Sequence, residues 1–416
     1  MHILRVIGSM NPSKGGPCQG IRNSIPELEK IGVQNEVVCL DSPDEVFIKR
    51  DPFKIHALGP GKSSWYYSAT LMPWLLENLS RFDAVIVHGL WQYHGYAVKK
   101  AIAQLRSQKH TGKNIPKVFV MPHGMLDPYF QKAKSRKLKA MRNWLYWKLI
   151  EGHVVNKADG VLFTCEAELE LARQPFRPYN PKRAINIGYG ITEPPVYSKA
   201  MQDAFSHKCP QVADSPYILF LSRIHDKKGV DLLIKAYAKL LESRVNHRLA
   251  EVYDEGETIA DNDVEFPKLV IAGPGLDTAY GKYVQQLASA TPELQHSIFF
   301  PGMLTGDSKW GAFYGCEAFV LPSHQENFGI AVVEALACSK PVLISDQVNI
   351  WREIKAAGGG IVAANTQHGT FKMLADWQDL SPEMRLIMGS MARETYENHF
   401  SIGPNVLRLL EAVRNS

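Results

Sequence analysis

Residues 321–345 read LPSHQENFGIAVVEALACSKPVLIS. The segment leaves one apolar, β-branched run, crosses a polar loop that contains a glycine, continues as an apolar helical stretch and enters a second β-branched run. This order predicts a strand, a loop, a helix and a second strand, which is the repeating unit of a parallel α/β sheet. Glu326 lies in the loop, and Glu334 interrupts the apolar stretch, where an unpaired carboxylate is costly to bury.

The two glutamates have two interpretations. In the simpler one, Glu326 caps the helix and Glu334 forms a salt bridge. In the other, both contact one ligand. If residues 326–334 were all helical, their terminal Cα atoms would be roughly 12 Å apart, whereas a hydrolytic carboxylate pair needs about 5 to 9.5 Å. The spacing favours the two ends of a long ligand, with a sugar at Glu326, a ribose at Glu334 and the amides of Asn327 to Ala331 facing an anionic centre.

The same alternation of strands and helices extends over the 416 residues. It predicts two Rossmann-like α/β domains, residues 1–195 and 212–394, joined by a segment rich in turn formers. Such sheets bind ligands at the carboxyl ends of their strands. The predicted strands lie at 2–7, 36–40, 83–89, 117–124, 160–165, 217–223, 268–273, 298–302, 318–323, 341–345 and 358–363.

Composition excludes several classes of protein. With 45% hydrophobic and 21% charged residues, the chain has a substantial core and is not a disordered protein. Six dispersed cysteines argue against a zinc site or a disulfide framework and for a reducing compartment. The N-terminus lacks a secretion signal, and no apolar run approaches the ~18 residues of a membrane span. These features predict a cytoplasmic protein.

Charge is unevenly distributed along the chain. The net charge is +5, but residues 1–195 contain 27 basic and 16 acidic residues, and residues 196–416 contain 20 and 26. A basic first half suggests an anionic partner or a solvated surface, with equal weight. The strongest segment is 132–148, where seven lysines and arginines alternate with Trp, Tyr, Leu and Met. This pattern suits an anionic membrane surface, and the alternative is a helix packed on the first domain. No nucleic-acid-binding module accompanies it.

Two cations and several glycines mark a possible diphosphate site. Arg223 and Lys228 flank a predicted strand–helix turn, where a helix N-terminus favours anions. Glycine turns follow two strands, at Gly15-Gly16 and at Gly273 and Gly275, and they allow close backbone approach. The spacing is not Gly-x-Gly-x-x-Gly, which disfavours a nicotinamide or flavin cofactor. Solvated side chains and plain tight turns are the alternatives.

Two further features could belong to a ligand site or a metal site. His123 ends a predicted strand at the edge where ligands bind, although most single histidines are structural. Asp261, Asn262 and Asp263 form an Asp-x-Asp triplet that resembles a metal-binding element, but it lies in an acidic loop with no buried strand before it. We therefore predict no metal site and no cofactor.

Taken in order, these motifs resemble the retaining glycosyltransferases of family four, which have the GT-B architecture of two Rossmann-like domains with a C-terminal helix that crosses back (here residues 395–416). The resemblance rests on Gly15-Gly16, His123, Arg223 with Lys228, residues 272–275, and the Glu-x7-Glu element at 321–345. Asn327 and Ser339 stand where the family commonly has glycine, so the donor sugar cannot be inherited from other members. Residues 123–151 are similar to transferases that build exopolysaccharide and other surface glycans.

The resemblance implies a role for each residue. Arg223 and Lys228 would bind the diphosphate, Glu326 would lie near the transferred sugar, and Glu334 would hold the ribose. Gly15 and Gly16 would close over the phosphates, and His123 would contact the donor sugar. Gly302 and Met303 would line the base. The sugar hydroxyls would meet the amides of Asn327, Phe328 and Gly329, and further donor contacts would come from Gly273, Gly275 and Ile330. Glu326, His123, Arg223 and Lys228 would form the catalytic group.

The implied reaction moves a sugar from a nucleotide diphosphate to a hydroxyl of a glycan or lipid-linked saccharide, without a metal and with retained configuration. The leaving diphosphate would help to deprotonate the acceptor, and the protein would orient the reactants and stabilise charge. Two alternatives remain open: a GT-B nucleotide-sugar epimerase, and a catalytically silent GT-B scaffold, against which the presence of both cations and both acids argues.

Overall fold

The computed structural model describes residues 1–107, 114–132, 137–255 and 266–415, with the backbone alone for 244–255. The Asp261–Asp263 triplet lies outside these residues. The chain divides into two compact units: Met1–Thr192 with Ser401–Ser416, and Glu193–Phe400. Among the described residues, no helix is long and apolar enough to cross a membrane.

The first unit contains a seven-stranded sheet in which every pair is parallel, in the order β3-β2-β1-β4-β5-β6-β7. The five predicted strands of this half are present. Two short strands, β3 and β7, were not predicted. The strands are β1 (His2–Ile7), β2 (Gln34–Cys39), β3 (Lys54–Ala57), β4 (Ala84–His88), β5 (Lys117–Met121), β6 (Gly160–Phe163) and β7 (Ala184–Asn186).

Helices cover the first sheet because its central strands are apolar on both faces. One core joins the β4 side chains to α2, α3 and the segment around Trp147, and a second joins Ile7 and Val37 to α1. The closing helix α17 also packs on α1. The helices of this unit are α1 (Gly16–Lys30), α2 (Leu71–Asn78), α3 (Tyr93–Ser107), α4 (Tyr129–Lys132), α5 (Lys137–Tyr146), α6 (Gly152–Lys157), α7 (Glu166–Leu171) and α17 (Ile402–Arg414).

The second unit contains a six-stranded parallel sheet in the order β10-β9-β8-β11-β12-β13. All six strands were predicted. They are β8 (Tyr217–Leu221), β9 (Lys268–Ala272), β10 (Ile298–Gly302), β11 (Ala318–Leu321), β12 (Val342–Ser345) and β13 (Gly360–Ala363).

Nine helices of the second unit lie among the described residues. They are α8 (Lys199–Lys208), α9 (Val230–Glu255), α10 (Ala279–Ala288), α11 (Pro292–Gln295), α12 (Asp307–Gly315), α13 (Ile330–Ala337), α14 (Trp351–Ala356), α15 (Gln367–Gln378) and α16 (Pro382–Thr395). The predicted fold class, α/β with two Rossmann-like parallel sheets, is confirmed.

Candidate nucleotide-sugar site

The second sheet reverses its strand order between β8 and β11, which are hydrogen-bonded neighbours. At such a switch point the loops after the two strands leave in opposite directions and open a crevice. The loop after β8 carries Arg223 and Lys228, and the loop after β11 carries Glu326. The backbone joins the two loops, because the Ser323 hydroxyl and the His324 amide both donate to the Lys227 carbonyl, at 3.0 and 2.8 Å.

Lys228 is the most buried charged group of this crevice, with 6% of the residue exposed. A short 3-10 turn, Asp226–Lys228, ends at Gly229, whose φ of 67° is left-handed and whose Cα faces the Pro322 carbonyl closely. The turn directs the Lys228 ammonium onto the Glu326 carboxylate, with which it forms an ion pair. Burial, together with the nearby charges of Lys227 and Arg223, lowers the pKa of Lys228 to about 7 even though the Glu326 carboxylate contacts the ammonium.

Arg223 follows β8 and is exposed, so its guanidinium is free to contact a ligand from the solvent side. Its loop is fastened to the glycine turn after β9, since the Ile224 amide donates to the Pro274 carbonyl at 2.8 Å. A Cβ at Gly273 or Gly275 would meet the carbonyl of Ser222 or Ile224. A larger residue at either position would therefore clash with the backbone. This steric requirement is separate from the donor contact predicted for the two glycines.

The Glu326 backbone is held like a short strand. Its amide donates to the Gln347 carbonyl at 2.9 Å, and its carbonyl accepts from the Asn349 amide at 3.0 Å. The Asn349 side chain also contacts the Asn327 side chain at 3.4 Å. The backbone that carries the Glu326 carboxylate is therefore fixed by the loop after β12, and sequence reasoning missed Asn349 in this support.

The helix after Glu326 begins at Ile330 rather than at Glu326, so residues 326–329 form a loop. Gly329 precedes it with a left-handed φ of 80°. None of the hydrogen bonds of the described residues uses the amide of Ile330 or Ala331. Donors at a helix start suit an anion. The Phe328 side chain is buried against Phe400, with ring centroids 5.7 Å apart, so this side chain is not exposed to a ligand.

Glu334 has a cationic partner in the Lys309 ammonium, 2.9 Å from its carboxylate. Lys309 belongs to α12 and also lies 3.9 Å from the centre of the Trp310 ring. The salt bridge of the simpler interpretation is thus present, and both acids of the Glu-x7-Glu element are paired with lysines. Lys309 was missed, because nothing in the sequence links residue 309 to residue 334.

Gly302 and Met303, predicted to line the base, lie where the edge strand β10 ends. Gly302 has a left-handed φ of 76° with open space at its Cα, and its carbonyl accepts from the Gly273 amide at 2.8 Å. Met303 is exposed. An exposed thioether beside an open backbone turn offers an apolar surface on which a flat ring can lie.

The remaining predicted residues belong to the first unit. Gly15 has a φ of 93°, precedes α1 and has open space at its Cα, and the Gly16 carbonyl accepts from the Tyr189 hydroxyl at 2.8 Å. The His123 Nε2 lies 3.0 Å from the His88 Nδ1, and the rings stack. Burial, together with the charge of Arg5, lowers the pKa of His123 to about 3, so the imidazole is neutral.

A buried carboxylate sets the turn that carries His123. Glu168 accepts from the Gly124 amide at 2.5 Å and from the amide and hydroxyl of Thr164 at 2.8 and 2.6 Å. His123 itself has a left-handed φ of 54°, which few non-glycine residues adopt without such support. Neither Glu168 nor His88 was predicted, although "VIVHG" places His88 at a strand end in the same way as His123.

Among the residues that the structure describes, no cluster of His, Cys, Asp and Glu has the arrangement of a metal site. The six cysteines are buried and form no disulfide with one another.

Comparison with known proteins agrees with this geometry. Residues 202–395 match the model of glycosyl transferases group 1, and residues 15–188 match that of the glycosyl transferase 4-like domain. Together the two models cover most of the chain. The protein belongs to the family-four type of GT-B glycosyltransferases. The family predicted from the ordered motifs is confirmed at that level.

Relatives of this GT-B glycosyltransferase are distant. The uncharacterized glycosyltransferase MJ1607 of Methanocaldococcus jannaschii is 29% identical over 169 residues, which are 39% of this chain and 37% of that protein. A D-inositol 3-phosphate glycosyltransferase of Mycolicibacterium smegmatis is 25% identical over 246 residues, 59% of this chain and 48% of that protein. The matches thus span less than half of the length of these relatives.

Solved structures share the fold of this GT-B glycosyltransferase over its whole length. Anabaena Alr3699/HepE in complex with UDP superimposes with a TM-score of 0.71 at 15% identity and covers all of both chains. The same protein has been solved in complex with UDP-glucose, with a TM-score of 0.68 at 14% identity and the same full coverage of both chains.

Proposed function

We propose that this protein transfers a sugar from a nucleotide diphosphate sugar to a hydroxyl of a glycan or lipid-linked saccharide, with retention of configuration. One observation carries the proposal: the buried ion pair of Lys228 and Glu326 at the switch point of the second sheet. A buried lysine supplies a fixed positive charge for a leaving diphosphate, and the carboxylate that holds it lies beside unused helix-start amides.

The chemistry divides among a few groups. Arg223, Lys228 and the amides of Ile330 and Ala331 stabilise the negative charge that develops on the diphosphate as the sugar leaves. Glu326 orients the lysine and the sugar. The departing phosphate oxygen takes the acceptor proton, so no protein nucleophile is required. Because the charge is neutralised by fixed cations and amide dipoles, the reaction runs without a metal ion.

The donor class is supported by the solved relatives. Alr3699/HepE holds UDP and UDP-glucose on the same fold. We assign the ribose to Glu334, which either shares its contact with Lys309 or releases it, and we assign the base to Met303. Asn327 adds an amide side chain beside Glu326, so we propose that it takes part in choosing the sugar.

The donor site is tested by thermal shift with UDP, GDP, ADP and their common sugars, with and without magnesium. We expect one nucleotide to raise the melting temperature without metal, because a ligand that binds only the folded state stabilises it. If no nucleotide gave a shift with well-folded protein, the silent scaffold would replace the transferase. If the bound donor were converted to an epimerised free sugar without an acceptor, the epimerase would replace it.

Membrane contact is a separate proposal, carried by the helix after Lys132. Leu138, Met141, Leu145 and Leu149 recur at intervals of three or four residues and are exposed. Lysines flank them, and the Lys148 ammonium lies 5.7 Å from the centre of the Trp144 ring. The alternative, in which this helix packs its tryptophans on the first domain, holds for only one of the two. Trp147 is buried, with its ring stacked 4.8 Å from that of Phe176, whereas Trp144 is exposed. Lys134 and Arg136 lie outside the described residues.

We expect the protein to float with anionic liposomes at low salt, because apolar side chains flanked by lysines bind such surfaces. The double variant Leu138→Glu/Leu149→Glu should lose this binding. Leu386→Glu is the matched control, since Leu386 is 74% exposed, between Leu138 at 80% and Leu149 at 66%, but lies on α16 in the other unit. Equal flotation of both variants, or no flotation of the wild type, would contradict the proposal.

A further inference from the structure

Arg5 is a buried cation in the centre of the first sheet, and the mechanism above does not use it. It lies on β1 and is 1% exposed. Registers of the parallel strands pair Arg5 with Ile86 and Ile7 with His88. Since side chains alternate between faces, Arg5 and His88 lie on the same face as diagonal neighbours, which is the face that α1 and α17 cover.

Among the residues that the structure describes, no carboxylate forms an ion pair with Arg5. Its Nε donates to the Asn35 side chain at 3.3 Å, but its Nη2 has no hydrogen-bond partner among the described residues. The Nε2 of His88, which is 4% exposed, also has none. Leaving a buried guanidinium unpaired is costly, and buried charges in proteins are normally paired with an opposite charge.

Both orphan groups line one cavity of about 40 Å³. Its wall is formed by the strand ends, by α1, by residues 187–190 and by α17, and none of the described residues that line it is acidic. The volume exceeds the roughly 10–15 Å³ that a single water requires. The polar part of the wall includes Arg5, His88, His123, Ser24 and Asn405.

We propose that this cavity binds a small oxyanion, a carboxylate or phosphate group, which accepts hydrogen bonds from Arg5 Nη2 and His88 Nε2. The anion supplies a counter-charge that none of the described residues provides, and a guanidinium can donate two hydrogen bonds to one oxyanion. All residues of the site belong to the first unit. The anion-binding proposal therefore does not depend on the proposed glycosyltransferase function.

An anion at this position also determines the tautomers of His88 and His123. If His88 Nε2 donates to the anion, its Nδ1 must accept, and the proton between the rings belongs to His123 Nε2. His123 is then left with an unprotonated Nδ1. The bound anion would thus select one tautomer of the histidine that the family resemblance places near the donor sugar.

The test is a thermal titration with phosphate and with acetate, at an ionic strength held constant by gluconate, whose chain is too large for the cavity. We expect a saturable rise in melting temperature in the wild type. Arg5→Met should raise the apparent dissociation constant at least about tenfold, the effect of losing one charge-assisted contact. In gluconate alone Arg5→Met should melt no lower than the wild type, because apolar replacement removes an unpaired buried charge.

Two further variants separate this site from the diphosphate site. Arg223→Ala/Lys228→Ala should keep the anion-dependent rise, and Ser24→Leu, which fills the cavity from α1 without altering Arg5, should abolish it even if Arg5→Met fails to fold. The proposal is overturned if Arg5→Met or Ser24→Leu titrates like the wild type, if the rise disappears in the Arg223→Ala/Lys228→Ala variant, or if neither anion raises the melting temperature. Failure of nucleotide binding would leave this result unaffected.

Discussion

Replacing Lys228 with alanine is expected to reduce the release of nucleotide from the donor by about 100-fold to 1,000-fold, the range found for loss of one preorganised charge-stabilising group. Lys228 is buried and its ammonium contacts Glu326, so no solvent-exposed lysine takes over its place. The measurement is nucleotide release from the donor found in the thermal-shift panel, both with acceptor and as slow hydrolysis without it.

The neighbouring Lys227 provides the matched control. Lys227→Ala removes the same charge one residue away, but the site uses the Lys227 backbone carbonyl, which the substitution retains. We expect it to change nucleotide release by less than about tenfold, as for a screened surface charge. Because Lys228→Ala leaves a partly buried carboxylate without its partner, its melting temperature must be recorded as well. Near-normal release from a folded Lys228→Ala protein would remove Lys228 from the reaction.

All strands of the second sheet could be predicted from the sequence, whereas two strands of the first sheet could not. The difference lies in the length and composition of those strands. β8 to β13 are apolar runs of four or five residues bounded by turn formers, and each was recognised. The missed strands are Lys54–Ala57 (KIHA) and Ala184–Asn186 (AIN), which lie at the two edges of the first sheet. Edge strands are short and partly polar because one side faces no neighbouring strand, so their composition resembles that of a loop.

For the candidate site, the sequence identified the charged residues that follow the strand ends, but not the residues that form ion pairs or hydrogen bonds with them. Arg223, Lys228 and Glu326 follow β8 and β11, and parallel topology alone brings such positions together. Their partners come from elsewhere in the chain: Lys309 meets Glu334 across 25 residues, and Asn349 fixes the backbone of Glu326. These pairings depend on helix packing and on strand register, which a single sequence does not reveal. The cavity beside Arg5 could not be predicted for the same reason, because the sequence shows only that Arg5 lies within an apolar strand.

Glu326→Gln is expected to lower nucleotide release by about 100-fold to 1,000-fold while leaving the fold intact, because glutamine keeps the shape of the side chain but not its charge. The effect has a particular pH dependence. Burial and the charges of Lys227 and Arg223 lower the pKa of Lys228 to about 7 in the wild type, where the Glu326 carboxylate contacts the ammonium, and removing that carboxylate should lower the pKa further. Without the carboxylate, Lys228 therefore loses its proton at a lower pH than in the wild type, and the neutral amine attracts the diphosphate less.

Between about pH 5 and pH 8, donor affinity of Glu326→Gln should therefore begin to fall at a lower pH than that of the wild type, in which Lys228 has a pKa of about 7. Calorimetric titration of the donor at several pH values measures this. Glu334→Gln is the comparison: its acid pairs with Lys309 rather than Lys228, so donor binding should weaken by a similar factor at every pH in this range. If Glu326→Gln bound the donor with the pH profile of the wild type, the carboxylate would not be what keeps Lys228 charged, and its role would be confined to the sugar.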